Sequence, residues 1–187
     1  MQSSMDLNNS MDSIKSISRN RIARFLAILL CGGLVFASVP SAQMTGDEAE
    51  LARLRAKAED AMANDDPDGA AMNMGRAAMM AAQLAKRQEG FRKDLSKAME
   101  PLLRSQEHTY RAMALFRRAG NQLPASSGVC GSMALAQNSL THADTALGEL
   151  PVPAPTPRLT DEVKQLQDAV DTWQTMIESI IADYQCR

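Results

Sequence analysis

The chain has 187 residues, with 20 basic and 22 acidic side chains and a net charge of −2, a balance too mild for nucleic acid to be its partner. Aromatic residues make up 4% of it, too few for a base-stacking surface, while 45% apolar residues suffice for one domain with a sizeable core. It contains no glycine-rich phosphate loop, nucleophile elbow, HExxH or CxxCH run, so the expectation is a non-catalytic protein without a cofactor.

In chain order, Lys15, Arg19, Arg21 and Arg24 precede the uncharged run FLAILLCGGLVFASV from Phe25 to Val39, which Pro40, Ser41 and Ala42 follow. A basic start, an apolar stretch and small residues beyond it form a secretory signal, assigned to residues 1–42 with cleavage near 37–42. The run is shorter than the roughly 20 residues a membrane-crossing helix needs, so no stable span is expected after cleavage. Cys31 sits mid-run behind Leu29 and Leu30, without the small residues that lipidation requires. The mature domain, 43–187, is therefore expected in the periplasm or secreted. Losing four basic residues and two acidic ones (Asp6, Asp12), it keeps 16 basic and 20 acidic side chains.

Leu51, Leu54, Ala58 and Ala61 predict a helix over about 46–63, with Thr45 and Glu48 spaced as a capping box. The stretch NDDPDGAAMNMGRAAMM follows, Asn64 to Met80. Asp66 ahead of Pro67 places a capping carboxylate before the residue best suited to the first helical position. No closing glutamate or alternating oxygen ligands follow, which excludes a calcium loop. From Leu51 to Ala81 the layout of helix, acidic turn and helix resembles one tetratricopeptide unit. The tryptophan, leucine-glycine and tyrosine positions of that family's first helix are absent and no second copy follows, so an αα-hairpin is expected.

From Ala70 through Met74, Ala77, Ala81, Leu84, Gln88, Phe91 and Leu95 to Phe116, core positions alternate by 4 and 3 without interruption. This phase predicts one helix over 67–119 that runs through Gly90 and kinks near Pro101. Met133, Ala136, Leu140, Ala143, Leu147 and Leu150 predict a helix over 132–149, and LPVPAPTPRL predicts a stiff connector over 150–159. Val163, Leu166, Val170, Trp173, Ile177, Ile180 and Tyr184 give the strongest seam, a helix over 161–185 capped by Thr160. The expected fold is all-α, a bundle of four to five helices with one long central helix.

Four sets of residues are candidates for function. Cys130 and Cys186, the two cysteines left in an oxidising compartment, are expected to form a structural disulfide. The close-packing stripe Ala70, Met74, Ala77 and Ala81 is the expected face for a partner helix. Charge is segregated, with nine bases against four acids over residues 86–118 and acidic stretches on either side. Arg92, Lys93, Lys97, Arg104, Arg111, Arg117 and Arg118 therefore form an expected basic face, which meets the acidic neighbouring helices or else an anionic envelope component or an acidic partner. Met62, Met72, Met79 and Met80 are soft ligands that could serve copper, although methionine in an Ala-rich helix more commonly fills space. His108 and His142 fall off the core stripes and are expected at the surface. Together these features point to an exported helical protein that binds another envelope protein or assembles with itself, with a periplasmic copper-binding protein as the alternative.

Overall fold

The computed structural model describes residues 46–186, which form five helices: α1 (Gly46–Ala63), α2 (Pro67–Arg87), α3 (Gly90–Arg118), α4 (Ser127–Gly148) and α5 (Pro157–Asp183). No strand occurs among the described residues. The signal assignment over 1–42, Cys31, and Thr45 of the predicted capping box lie outside them.

Two helix starts carry a side-chain cap. The Asp66 carboxylate accepts a hydrogen bond from the Gly69 backbone N–H at 2.9 Å, and Pro67 occupies the first helical turn, as the sequence predicts. At α5 the prediction shifts. Thr156 caps the helix by accepting from the Leu159 N–H at 3.3 Å, with Pro157 behind it. Thr160 lies inside the helix, its hydroxyl donating to the Thr156 carbonyl. Reading the last proline as part of the connector hid this start, because proline fits the first turn as well as it fits a linker. α4 likewise begins at Ser127 rather than near 132, which puts Cys130 in its first turn.

The larger correction concerns 67–119, which is two helices and not one. Gln88 and Glu89 are both extended (φ −87°, ψ 162° and φ −126°, ψ 163°), and Gly90 takes a φ of +57°, where a side chain is strained. These residues reverse the chain. Arg118 pairs with Asp68 at one end and Glu107 lies against Gly75 in the middle, so α2 and α3 run antiparallel. The core phase survives the reversal because Gln88, a stripe position, falls within the turn and both seams face one core. Pro101 is contained in α3, which at 29 residues remains the longest helix described.

α3 occupies the centre, with α2 on one side and α4 on the other. α1 packs on α2, and α5 packs on α4 and α3. Both outer helices lie on the same side of α3: Arg92 reaches Glu48 of α1 at 3.8 Å and Glu162 of α5 at 3.2 Å. Further along α3, the buried Tyr110 meets Trp173 edge-on at 5.7 Å and carries the electrostatic influence of Glu59 and Arg55. Burial, with the Glu59 charge beside it, drives the Tyr110 hydroxyl well above the usual phenol range. The result is a layer of three helices, α2, α3 and α4, covered on one face by α1 and α5.

The covered face holds the core. Met74, Leu103, Met133, Leu140 and Ile177 are its largest fully enclosed apolar side chains, and the predicted seams are buried from Met133 to Leu150 and from Leu166 to Ile180, with Val163 and Tyr184 partly buried. At the far end, Phe116 stacks on Tyr184 at 4.1 Å, the Ala125 N–H donates to the Tyr184 carbonyl at 2.9 Å, and Cys130 is bonded to Cys186 with their Cα atoms 5.4 Å apart. Burial pushes the Tyr184 hydroxyl up to about 12.

Candidate interaction face

Among the described residues, nothing covers the side of the three-helix layer away from α1 and α5. On α3 the residues pointing there are Lys93, Lys97, Glu100, Arg104, Glu107, Arg111 and Arg118, spaced 4, 3, 4, 3, 4 and 7, a single stripe. At 100° per residue it is centred roughly 100° around the helix from Tyr110. On α2, Asp68, Met72, Gly75, Met79, Ala82 and Lys86 repeat 4, 3, 4, 3, 4 and line the same seam. A shallow groove thus runs between α2 and α3, from Asp68 and Arg118 to Lys86 and Lys93. Its floor is made of small residues, Ala71, Gly75, Ala82 and Ala85.

Glu107 is the electrostatic centre of this groove. It is buried, accepts from Arg104 at 2.9 Å and from Arg111 at 2.6 Å, and is the carboxylate to which both arginines are tied. Arg104 also donates to Glu100 at 3.0 Å. Burial by itself would lower the Arg104 guanidinium, but the hydrogen bonds it donates to Glu100 and Glu107, with their charges, outweigh it and hold Arg104 above its ordinary value. The half-buried His108 beside this network is pushed below the ordinary histidine range, first by burial.

Space opposite Glu107 is tight. A Cβ added at Gly75 would stand 2.9 Å from the Glu107 carboxyl carbon and 3.1 Å from both oxygens. Gly75→Ala should be close to neutral, since about 1 kcal/mol of helix propensity offsets a small displacement of the carboxylate. Gly75→Val should cost about 1–3 kcal/mol, because the carboxylate must leave two arginines. The same substitution in a Glu107→Ala background should cost clearly less, a coupling that urea titration of the four proteins measures.

The structure redistributes the sequence-predicted site residues. Ala70, Met74, Ala77 and Ala81 are at most 2% exposed, so the stripe predicted to receive a partner helix is filled by the chain's own helices. Small residues permit close approach, and that approach happens within the molecule. The methionines left outside are Met72, 54% exposed, and Met79, 51% exposed, which flank the groove. Met62 and Met80 pack against the core instead. Among the described residues, no cluster of three His, Cys, Asp or Glu side chains is placed to hold a metal ion.

Of the predicted basic face, Lys93, Lys97, Arg104, Arg111 and Arg118 share the open side. Arg92 does not, because it ties α1 to α5 beneath the layer. Arg117 turns to the α1–α2 loop, where it pairs with Asp65 at 2.8 Å. His142 is exposed as expected, whereas His108 is half-buried. Sequence reasoning missed Arg76 and Glu107. Arg76 is an exposed cation on the α2 rim with no ion pair among the described residues, and its i, i+3 and i, i+4 spacing to Met79 and Met72 was the available signal. No described helix is long and apolar enough to cross a membrane.

Comparison of the chain with protein-family models, with curated proteins and with solved structures finds no match.

Proposed function

We propose that this chain is an exported, non-catalytic helical domain that works by binding another protein of the cell envelope through its open α2–α3 face. One observation carries the reading: Met72 and Met79, the two largest exposed apolar side chains on any described helix apart from Leu135, stand on the same groove and are surrounded by cations. A soft apolar pair inside a charged rim is the composition of a protein-contact surface, in which buried anchors supply the energy and charges orient the partner. Export rests on the basic, apolar and small-residue order of residues 1–42 and agrees with the Cys130–Cys186 bond, which persists in an oxidising compartment.

A photo-reactive benzophenone side chain placed at Met72 or Met79 in the full chain tests this in intact cells. An adduct with a distinct envelope protein, absent when the probe is placed at the outward Gln167 of α5, is the expected result. Adducts with copies of the chain alone would make it a self-assembling protein, and equal labelling from both positions would remove the binding role of this face.

A further inference from the structure

We infer that the open α2–α3 groove receives an acidic amphipathic helix of a partner protein. This rests on the binding role proposed above and adds the chemistry of the occupant. The groove follows α2 from Asp68 to Lys86, about 27 Å of helix axis, and so matches four to five turns of a third helix. Its floor of alanine and glycine lets a helix axis come close, while Met72 and Met79 offer adaptable apolar contact at two successive heptad positions. Charge selects the occupant. Seven cations line the groove, Arg76, Arg104, Arg111 and Arg118 in one half and Lys86, Lys93 and Lys97 in the other, against Asp68, Glu100 and Glu107. Arg76 and Lys93 have no ion pair among the described residues and are exposed, so they are available to a partner's carboxylates.

The molecule already holds one helix of this kind. On the covered face, α1 lies against the same hairpin with Leu51, Leu54 and Ala58 buried, and its acids engage the hairpin through Asp47 to Arg87 at 2.5 Å and Glu48 to Arg92. An occupant of the open face needs the same combination of i, i+3 and i+7 apolar anchors flanked by acids. The chain's own segments do not supply it. Residues 1–42 carry four bases and two acids, the wrong sign. α5 carries six acids and two bases, but its exposed positions include no large apolar side chain to serve as an anchor. An anionic bilayer is disfavoured as well, because the groove is concave and Asp68, Glu100 and Glu107 would face the lipid phosphates.

The test uses the full chain and two designed helical peptides with leucine at the heptad a and d positions, one with glutamate and the other with lysine at e and g, read by fluorescence anisotropy. The glutamate peptide should bind about tenfold or more tightly than the lysine peptide, with the preference shrinking as salt rises. Met72→Asp with Met79→Asp, and separately Arg76→Glu with Lys93→Glu, should each weaken it about tenfold while circular dichroism stays unchanged. Equal binding of the two peptides, binding indifferent to both double variants, displacement of the peptide by phosphatidylglycerol vesicles, or a concentration-dependent dimer abolished by the methionine variants would overturn the inference. A cellular adduct at Met79 combined with equal peptide binding removes only the helix assignment, whereas peptide selectivity without any adduct removes the binding role.

Discussion

Met74→Asp should unfold the domain or bring it to the edge of unfolding, while Met79→Asp, five residues further along the same helix, should leave its melting temperature nearly unchanged. Met74 is 2% exposed and is among the largest fully enclosed side chains, whereas Met79 is half in water. Truncating a buried methionine to alanine costs about 2–5 kcal/mol, and a carboxylate in its place adds the penalty of a polar group with no partner, another 1–3 kcal/mol or more. That total approaches the whole stability of a domain, about 5–15 kcal/mol. A polar replacement at a surface position away from special contacts stays within about 0.5 kcal/mol. Thermal melts by circular dichroism read both. A stable Met74→Asp protein would mean that α2 does not sit in the core as described, and a collapsed Met79→Asp protein would mean that the open face is closed. The pair also separates structure from recognition, since a loss of partner binding in Met79→Asp cannot then be blamed on folding.

The contrast between these two methionines shows what the sequence carried and what it did not. The heptad seams of α4 and α5 were legible from Met133 to Leu147 and from Leu166 to Ile180, because burial on one side of a helix imposes a period that composition alone reproduces. The α1–α2 hairpin was legible from Asp66 and Pro67, whose chemistry admits few other roles. The reversal at Gln88 and Glu89 was not. An antiparallel turn that consumes one stripe position leaves the spacing intact, so phase cannot distinguish it from a straight helix; Gly90 behind Lys86 and Arg87 was the stronger signal. Missing that turn misplaced the open face. With one long helix, the Ala70 to Ala81 stripe has no intramolecular mate and looks free for a partner. With the chain folded back, α1 and α3 supply that mate, and the vacancy moves around α2 to Met72, Gly75 and Met79.

Glu107 was hidden for a related reason. On a stripe of cations an isolated glutamate resembles surface patterning, and only the packing of α2 against α3 shows that it is buried under Gly75 and ties two arginines together. Its neighbours on α3 split between two faces according to the same packing. Arg92 and Tyr110 serve the α1 and α5 side, while Arg104 and Arg111 serve the open one, so the run of bases predicted as a single face divides into a structural part and an available part. The acidic stretches on either side of that run are then the helices its structural part holds.

Replacing Cys130 and Cys186 by serine should lower stability by about 4 kcal/mol, the loop-closure entropy returned to an unfolded chain when a loop of about 57 residues is released. The bond spans 56 positions of sequence and joins the first turn of α4 to the tail beyond α5, the longest covalent shortcut in the described chain. If its contribution is made in the unfolded state, the double variant keeps its helix content and its Phe116–Tyr184 stack, and the urea midpoint falls while the slope steepens, because the released unfolded chain is less compact. If the bond instead holds the tail in place, the loss is local. The Ala125 N–H, which donates to the Tyr184 carbonyl at 2.9 Å, then exchanges its hydrogen faster while amides in the middle of α3 keep their protection. Phe116 of α3, Ala125 of the loop, and Tyr184 and Cys186 of the tail meet at that end, and the stack and the backbone hydrogen bond hold it without the sulfur bridge. The first outcome is therefore expected: a midpoint shift in which exchange at the Ala125 amide speeds up no more than the fall in global stability requires. Selective acceleration at Ala125 would show that the far end of the bundle is assembled by the disulfide and merely finished by its aromatic contacts.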